Sequence, residues 1–199
     1  MQATAFVIGE DKQCSQGLVD LSLDIGFRSV LSFSDIELAE QQVKRTPVCF
    51  FLFALTRQSH NASGIARAIR TSRNRQIKFA PMVGFTESAE PRLIQATLRL
   101  GFDDILVPPF SAKVALPRLN NHINRRIHFY ETENYFGPDR RVGLGIHKEP
   151  GNHPDRGKGG DHRKILINRS LETGVSILKD EFHKHRPVGQ VTEANSFAI

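Results

Sequence analysis

Apolar and polar positions alternate along the first 130 residues in a way that predicts a strand-helix-strand-helix chain. The anchor is the run at residues 47–54, Pro-Val-Cys-Phe-Phe-Leu-Phe-Ala, bounded by a turn-forming proline and a polar, basic segment. An unbroken apolar run of this length, rich in aromatic and β-branched side chains, predicts a strand buried on both faces. Such strands sit inside parallel sheets with helices above and below. Shorter strands are expected at residues 3–8, 29–32, 78–83 and 104–107. Between them, Leu18, Leu21 and Ile25, then Ile36, Leu38, Ala39 and Val43, then Ile65, Ala66 and Ile69 recur at helical spacing. A fourth helix is expected over 87–100, with Pro91 in its first turn and Gly101 past its end. A long last helix over 111–130 would present Val114, Leu116, Leu119, Ile123, Ile127 and Tyr130 on one side. Five alternations predict an α/β fold, a five-stranded parallel, doubly wound sheet. Its site would lie in the loops at the carboxyl ends of the strands.

The pattern changes after Tyr135. Residues 137–160 are crowded with Gly, Pro, His and charged residues and read as a linker. Beyond it, Leu171, Val175, Leu178 and Phe182 recur at helical spacing, which predicts an amphipathic helix closed by Pro187. The organisation read from the sequence is therefore an α/β unit over 1–133, a linker over 134–163, a helix over 164–187 and a loose tail over 188–199.

Charge adds one localised feature to a chain of net charge +6. No Asp or Glu occurs from Gln41 to Thr86, while Lys44, Arg45, Arg57, Arg67, Arg70, Arg73, Arg75 and Lys78 do. A field of that sign favours phosphates, nucleic acid or an acidic protein surface. An anion-binding face built from Arg67, Arg70, Arg73 and Arg75 and a merely solvated basic helix face both fit it. The two cysteines, Cys14 and Cys49, read as reduced thiols of a cytoplasmic protein. No stretch approaches the length of a membrane span, and residues 1–6 lack the basic start of a secretory signal.

The chemistry-bearing motifs are few. His147, His153, His162, His183 and His185 are irregularly spaced and lack a Cys among them, so no metal site is expected. The segment 157–160 is Gly-rich and basic but lacks the spacing of a phosphate-binding loop. Ser, His and Asp are present without a nucleophile-elbow context. No enzymatic activity and no cofactor are expected.

The segment 100–110, Leu-Gly-Phe-Asp-Asp-Ile-Leu-Val-Pro-Pro-Phe, resembles the "aGAddyl-K-PF" segment around the fifth strand of the receiver domains of bacterial response regulators. The run after Pro47 is similar to that family's central strand, and residues 81–86, Pro-Met-Val-Gly-Phe-Thr, to its fourth. The resemblance covers about residues 3–130. It implies a phosphoryl-accepting Asp after the third strand, an acidic pair that holds Mg²⁺, a Lys before the fifth-strand proline and a Thr or Ser that reads out the new charge. In this sequence the acceptor position falls on Phe53, with Ala54 next, and the Lys position on Pro108. The acidic pair falls on Gly9 and Glu10, with Asp11 adjacent, and Thr86 alone is retained. One or two carboxylates would give Mg²⁺ too few protein oxygens. The resemblance thus implies a pseudo-receiver, with the fold kept and the phosphorylation site degenerate. The segment 135–141 is similar to a short "GPDRR" stretch found beside signalling domains, with no implied chemistry.

Receiver-like domains bind partners through their fourth and fifth helices and fifth strand. The resemblance places Arg92, Gln95, Arg99, Phe110 and Lys113 on that face. The expected tail helix, with Leu171, Val175, Leu178 and Phe182, could dock on the domain or on a partner groove. The function expected is a phosphorylation-independent adaptor whose partner is a signalling protein: a histidine kinase, a receiver or an effector, or a second copy in a homodimer. The alternative is binding of nucleic acid or a cyclic dinucleotide through the basic stretch 41–86. No membrane partner is expected.

Overall fold

The computed structural model describes residues 1–10, 12–56, 61–139 and 161–184. Asp11, residues 57–60, residues 140–160 and the tail beyond Lys184 lie outside the described residues, and with them Arg140 and Arg141 of the GPDRR stretch.

The elements run β1 (Thr4–Ile8), α1 (Lys12–Ile25), β2 (Ser29–Ser32), α2 (Ile36–Val43), β3 (Cys49–Leu55), α3 (Ala62–Thr71), α4 (Arg75–Lys78), β4 (Met82–Thr86), α5 (Pro91–Arg99), β5 (Asp104–Leu106) and α6 (Ala112–Asn120). They are followed by β6 (Arg126–Glu131), β7 (Phe136–Pro138), β8 (His162–Ser170) and β9 (Gly174–His183). Strands β1 to β5 form a parallel sheet in the order β2-β1-β3-β4-β5. Every residue of β3 is buried, as expected for a central strand covered on both sides. On one face, Phe50, Leu52 and Ala54 pack with Leu18 and Ile25 of α1 and Ala115 and Leu119 of α6. On the other, Phe51 and Phe53 pack with Ala39 of α2, Ala66 and Ile69 of α3 and Ile77 of α4. This is the α/β, five-stranded parallel, doubly wound fold that the alternation predicts.

Three expected elements are corrected. Residues 78–80, expected as the start of the fourth strand, instead close α4 and lead into Pro81, and β4 starts at Met82. The long last helix stops at Asn120 rather than continuing to Tyr130. Asn121 caps it, and Asn124 takes a left-handed backbone conformation (φ 54°), in which its N–H donates to the Arg169 carbonyl at 2.6 Å. Asparagine is among the few residues that tolerate this conformation, and it turns the chain out of the helix. Residues 126–131, read as helix, are therefore strand β6.

The expected helix over 164–187 is not formed either. Residues 162–183 make an antiparallel hairpin, and the second sheet runs β7-β6-β8-β9. The alternating burial of β8 is a strand signature, with Ile165, Ile167 and Arg169 all turned inward. Gly174 accepts φ 76° at the turn, which a side chain there would strain. A register shift between Leu166 and Ile167 leaves Leu178 as the extra residue of β9, a β-bulge. The linker expected over 134–163 contains β7 and the first residues of β8.

The second sheet packs against the amino ends of β4 and β5. Its core joins Phe129, Ile165, Ile167 and Val175 to Phe79, which caps α4 ahead of β4. Phe79 meets Phe129 and Phe136 at ring-centroid distances of 5.1 and 5.5 Å. Gly101 approaches so closely that a Cβ there would stand 2.3 Å from the Phe136 carbonyl oxygen. Leu171, at the hairpin turn, packs against the core shared by β3, α1 and α6.

Candidate functional site

In a parallel sheet the carboxyl ends of the strands converge on one place, and Gly9, Glu10, Phe53, Thr86 and Pro108, which the resemblance singles out, lie at that end. Phe53 pairs with Ile8 of β1 on one side and Gly84 of β4 on the other. Its ring is fully buried and stands edge-on to Phe102 at 4.7 Å. Gly9, just past β1, has no room for a side chain. A Cβ there would come within 2.4 Å of the Ser15 hydroxyl and 3.1 Å of the Ala54 Cβ. The Glu10 carboxylate is turned to the loop after β3, where it accepts a hydrogen bond from the Asn61 N–H at the start of α3. Thr86 is buried, its hydroxyl accepting from the Ser88 N–H at 3.3 Å and lying 3.2 Å from the Ser88 carbonyl. Pro108 brings no ammonium to the site. Beside these residues, a pocket of about 320 Å³ opens between α1 and the ends of β3 and β4, with Leu18, Ala54 and Phe85 in its lining and Phe110 and Glu87 among the residues around it. The chemistry of this end is apolar. Among the described residues no group of three or more His, Cys, Asp or Glu side chains is placed to hold a metal ion.

The charged groups expected to act as a unit are separated. Arg67, Arg73 and Arg75 are exposed, on α3 and the turn into α4. Arg70 is not: it is 3% exposed and cannot contact an external anion. Its guanidinium donates to the carbonyls of Lys78 and Ala80, each at 2.8 Å, and of Gly101 at 2.7 and 3.0 Å. It also donates to the Asp103 carboxylate at 2.7 Å. Arg70 stands one turn beyond the buried Ala66 and next to the buried Ile69, at the edge of the core face of α3, while Arg67 stays exposed.

Asp103 is the centre of a cluster that the sequence reading missed. One carboxylate oxygen takes the Arg70 bond and the Met82 N–H at 2.9 Å. The other takes Arg169 Nη2 at 2.7 Å, while Arg169 Nε donates to the Phe79 carbonyl at 2.7 Å. Both guanidinium carbons lie near the Phe129 ring, at 5.4 and 5.5 Å from its centroid. All three charged side chains are buried. Burial pushes the Asp103 carboxyl up, but the Arg169 and Arg70 charges outweigh it and hold it below the usual carboxylate range. Burial lowers the Arg70 guanidinium to about 10, opposed by Asp103, so it stays charged at neutral pH. The signal that could have found Arg169 is its position in the alternation: it falls in phase with Ile165 and Ile167.

The expected partner residues divide in the same way. Arg92, Gln95 and Arg99 lie exposed along α5, and Phe110 and Lys113 are exposed at the start of α6. Leu171, Val175, Leu178 and Phe182 form no common face, because their helix is absent. Val175 is buried, Leu171 is partly buried, and Leu178 and Phe182 are exposed on the edge strand β9.

No protein-family model and no curated protein sequence matches the chain. Among solved structures, the chain is similar to a putative response regulator from Chloroflexus aurantiacus J-10-fl, with 18% identity, TM-score 0.45, and 59% of this chain and 94% of that one covered. It is similar to the receiver domain of a sensor histidine kinase from Pseudomonas aeruginosa PAO1, which has a magnesium ion coordinated in its active-site cleft. There the identity is 18%, the TM-score 0.45, and the coverage 60% of this chain and 95% of that one. A signal receiver domain of a histidine kinase from Syntrophus aciditrophicus gives 12% identity and TM-score 0.44, over 61% of this chain and 89% of that one. The fold assignment rests on the strand order and the two helical layers described above.

Proposed function

We propose that this chain is a signalling adaptor built on a receiver-like domain that works without phosphorylation. The observation that carries the reading is Phe53. A buried aromatic ring occupies the position where the family resemblance would put the acceptor carboxylate. It offers neither a nucleophile nor a metal ligand. Gly9 has no room for a second carboxylate, and Pro108 removes the counter-charge a phosphoryl group would need. A domain with no such switch is held in one state, and its regulation comes from abundance, location or competition between partners. The exposed side of α5 and the start of α6, with Arg92, Gln95, Arg99, Phe110 and Lys113, is the partner face. The partner is a signalling protein, namely a histidine kinase, a receiver or an effector, and the protein acts in the cytoplasm.

Incubation of the full chain with a small phosphodonor and Mg²⁺ is expected to leave its intact mass unchanged. A stable gain of one phosphoryl group would sink the reading. Capture from native extract at moderate salt, with nuclease treatment, tests the adaptor role. A signalling protein lost on Arg92→Glu with Arg99→Glu supports it, and recovery of nucleic acid alone counts against it.

The exposure of Arg67, Arg73 and Arg75 within an acid-free stretch favours a second reading, binding of nucleic acid or a cyclic dinucleotide. Arg70 has no part in it. Binding that falls steeply with salt and is abolished by Arg67→Glu with Arg73→Glu supports this reading. Absence of binding at low salt ends it.

A further inference from the structure

The pocket at the carboxyl end of the parallel sheet is a cleft open to solvent, and its volume of about 320 Å³ lies at the lower end of the range of small-molecule sites. Its lining is mostly apolar. Phe85 and Phe110 meet edge to face at 5.5 Å and give it an aromatic wall, and Phe110 remains 37% exposed. Glu87 is the charged side chain among its described lining residues.

Gly17 supplies an independent argument. It stands inside α1, where glycine is disfavoured relative to any ordinary residue. It lines the pocket, and a Cβ built on it meets nothing within 4 Å. No neighbour in the described chain requires a glycine here. Its effect is to keep that wall of the pocket free of a side chain.

We propose that this pocket binds a small aromatic molecule, uncharged or cationic and about the size of an indole, with its ring against Phe85 and Phe110. The proposal does not rest on the adaptor reading, although Phe110 belongs both to this pocket and to the partner face. Aromatic rings prefer the edge-to-face and offset geometries that this wall offers. The Glu87 carboxylate tolerates a cationic substituent and repels an anionic one. The site occupies the end of the sheet where the resemblance would put phosphorylation chemistry, and it has the opposite character.

Three probes with one ring system and different charges test it on the full chain: indole, tryptamine and indole-3-acetate. In two-dimensional amide NMR, indole and tryptamine are expected to shift the resonances of Gly17, Ala54 and Phe85. Tryptamine is expected to bind at least as tightly as indole, and indole-3-acetate more weakly than both. Gly17→Leu puts a branched side chain on that wall of the pocket and is expected to weaken the shifts. Phe110 is at the surface, so Phe110→Ala keeps the fold and is expected to weaken binding about tenfold through loss of the aromatic contact. Glu87→Gln is expected to bring indole-3-acetate close to tryptamine. The proposal is overturned if no probe shifts these resonances, if both Gly17→Leu and Phe110→Ala bind as the parent chain does, or if indole-3-acetate binds tighter than tryptamine.

Discussion

The two ends of the parallel sheet have exchanged their expected characters. At the carboxyl end, where the receiver resemblance implies acids, a cation and a lysine, the protein has Phe53, a glycine with no room for a side chain, and an apolar pocket. At the amino end, where no chemistry was expected, Arg70, Asp103 and Arg169 lie buried together. Through Arg169, whose Nη1 is buried without a hydrogen-bond partner among the described residues, the cluster ties the second sheet to the amino ends of β4 and β5, and through Arg70 it ties α3 to the same carboxylate. Charge concentrated in an interior is therefore not by itself a sign of a reactive site. What separates the two ends is access: the charged cluster is sealed, and the apolar pocket is open.

The largest effect expected from breaking this contrast comes from Asp103→Asn. It leaves two buried guanidinium groups without their counter-charge, and unfolding in urea is expected to show a loss of about 3–5 kcal/mol. Acid titration tests the same group in the parent chain. The folded carboxyl is held below its unfolded value of about 4. Its contribution is therefore complete above about pH 4 and is lost as pH falls towards the depressed value. Denaturation midpoints measured through that window should fall in the parent chain. In Asp103→Asn they should fall less.

Gly101→Ala is expected to cost a few kcal/mol. The residue has φ 84°, which disfavours any side chain by about 1–2 kcal/mol, and its Cβ would press on the Phe136 carbonyl. Thermal unfolding would read the loss directly. The smallest effect has the opposite sign. Gly17→Ala at the carboxyl end is expected to raise stability by about 1 kcal/mol, since helix propensity improves and the added methyl meets open space. A destabilised Gly17→Ala chain would show that the pocket wall is packed more closely than described.

The parallel sheet was readable from the sequence because β3 is buried on both faces and so shows as a continuous apolar run. The positions that the resemblance singles out could be located from the strand order: Thr86 ends β4, Phe53 lies near the end of β3, and Gly9 and Pro108 follow β1 and β5. The second sheet was not readable from the sequence. The positions Leu171, Val175, Leu178 and Phe182 fall four, three and four apart, which is the helical period. That spacing arises from a turn, a β-bulge at Leu178 and an edge strand with exposed side chains. Composition pointed Arg70 and Arg169 outwards, because arginine seldom lies in a core. Only Asp103, supplied from a different part of the chain, makes their burial possible.

The Arg169 bond to the Phe79 carbonyl spans 90 residues, and the Val175 bond to Gln76 spans 99. During synthesis, α4 and the amino end of β4 are made long before the strands that cover them. For that interval the Phe79 ring has no hydrophobic partner from the hairpin, and Asp103 has one arginine rather than two. Loop closures of this length slow folding. Asp103 therefore gains its second arginine only from a strand made late in synthesis, and full burial of the charged cluster waits on the hairpin.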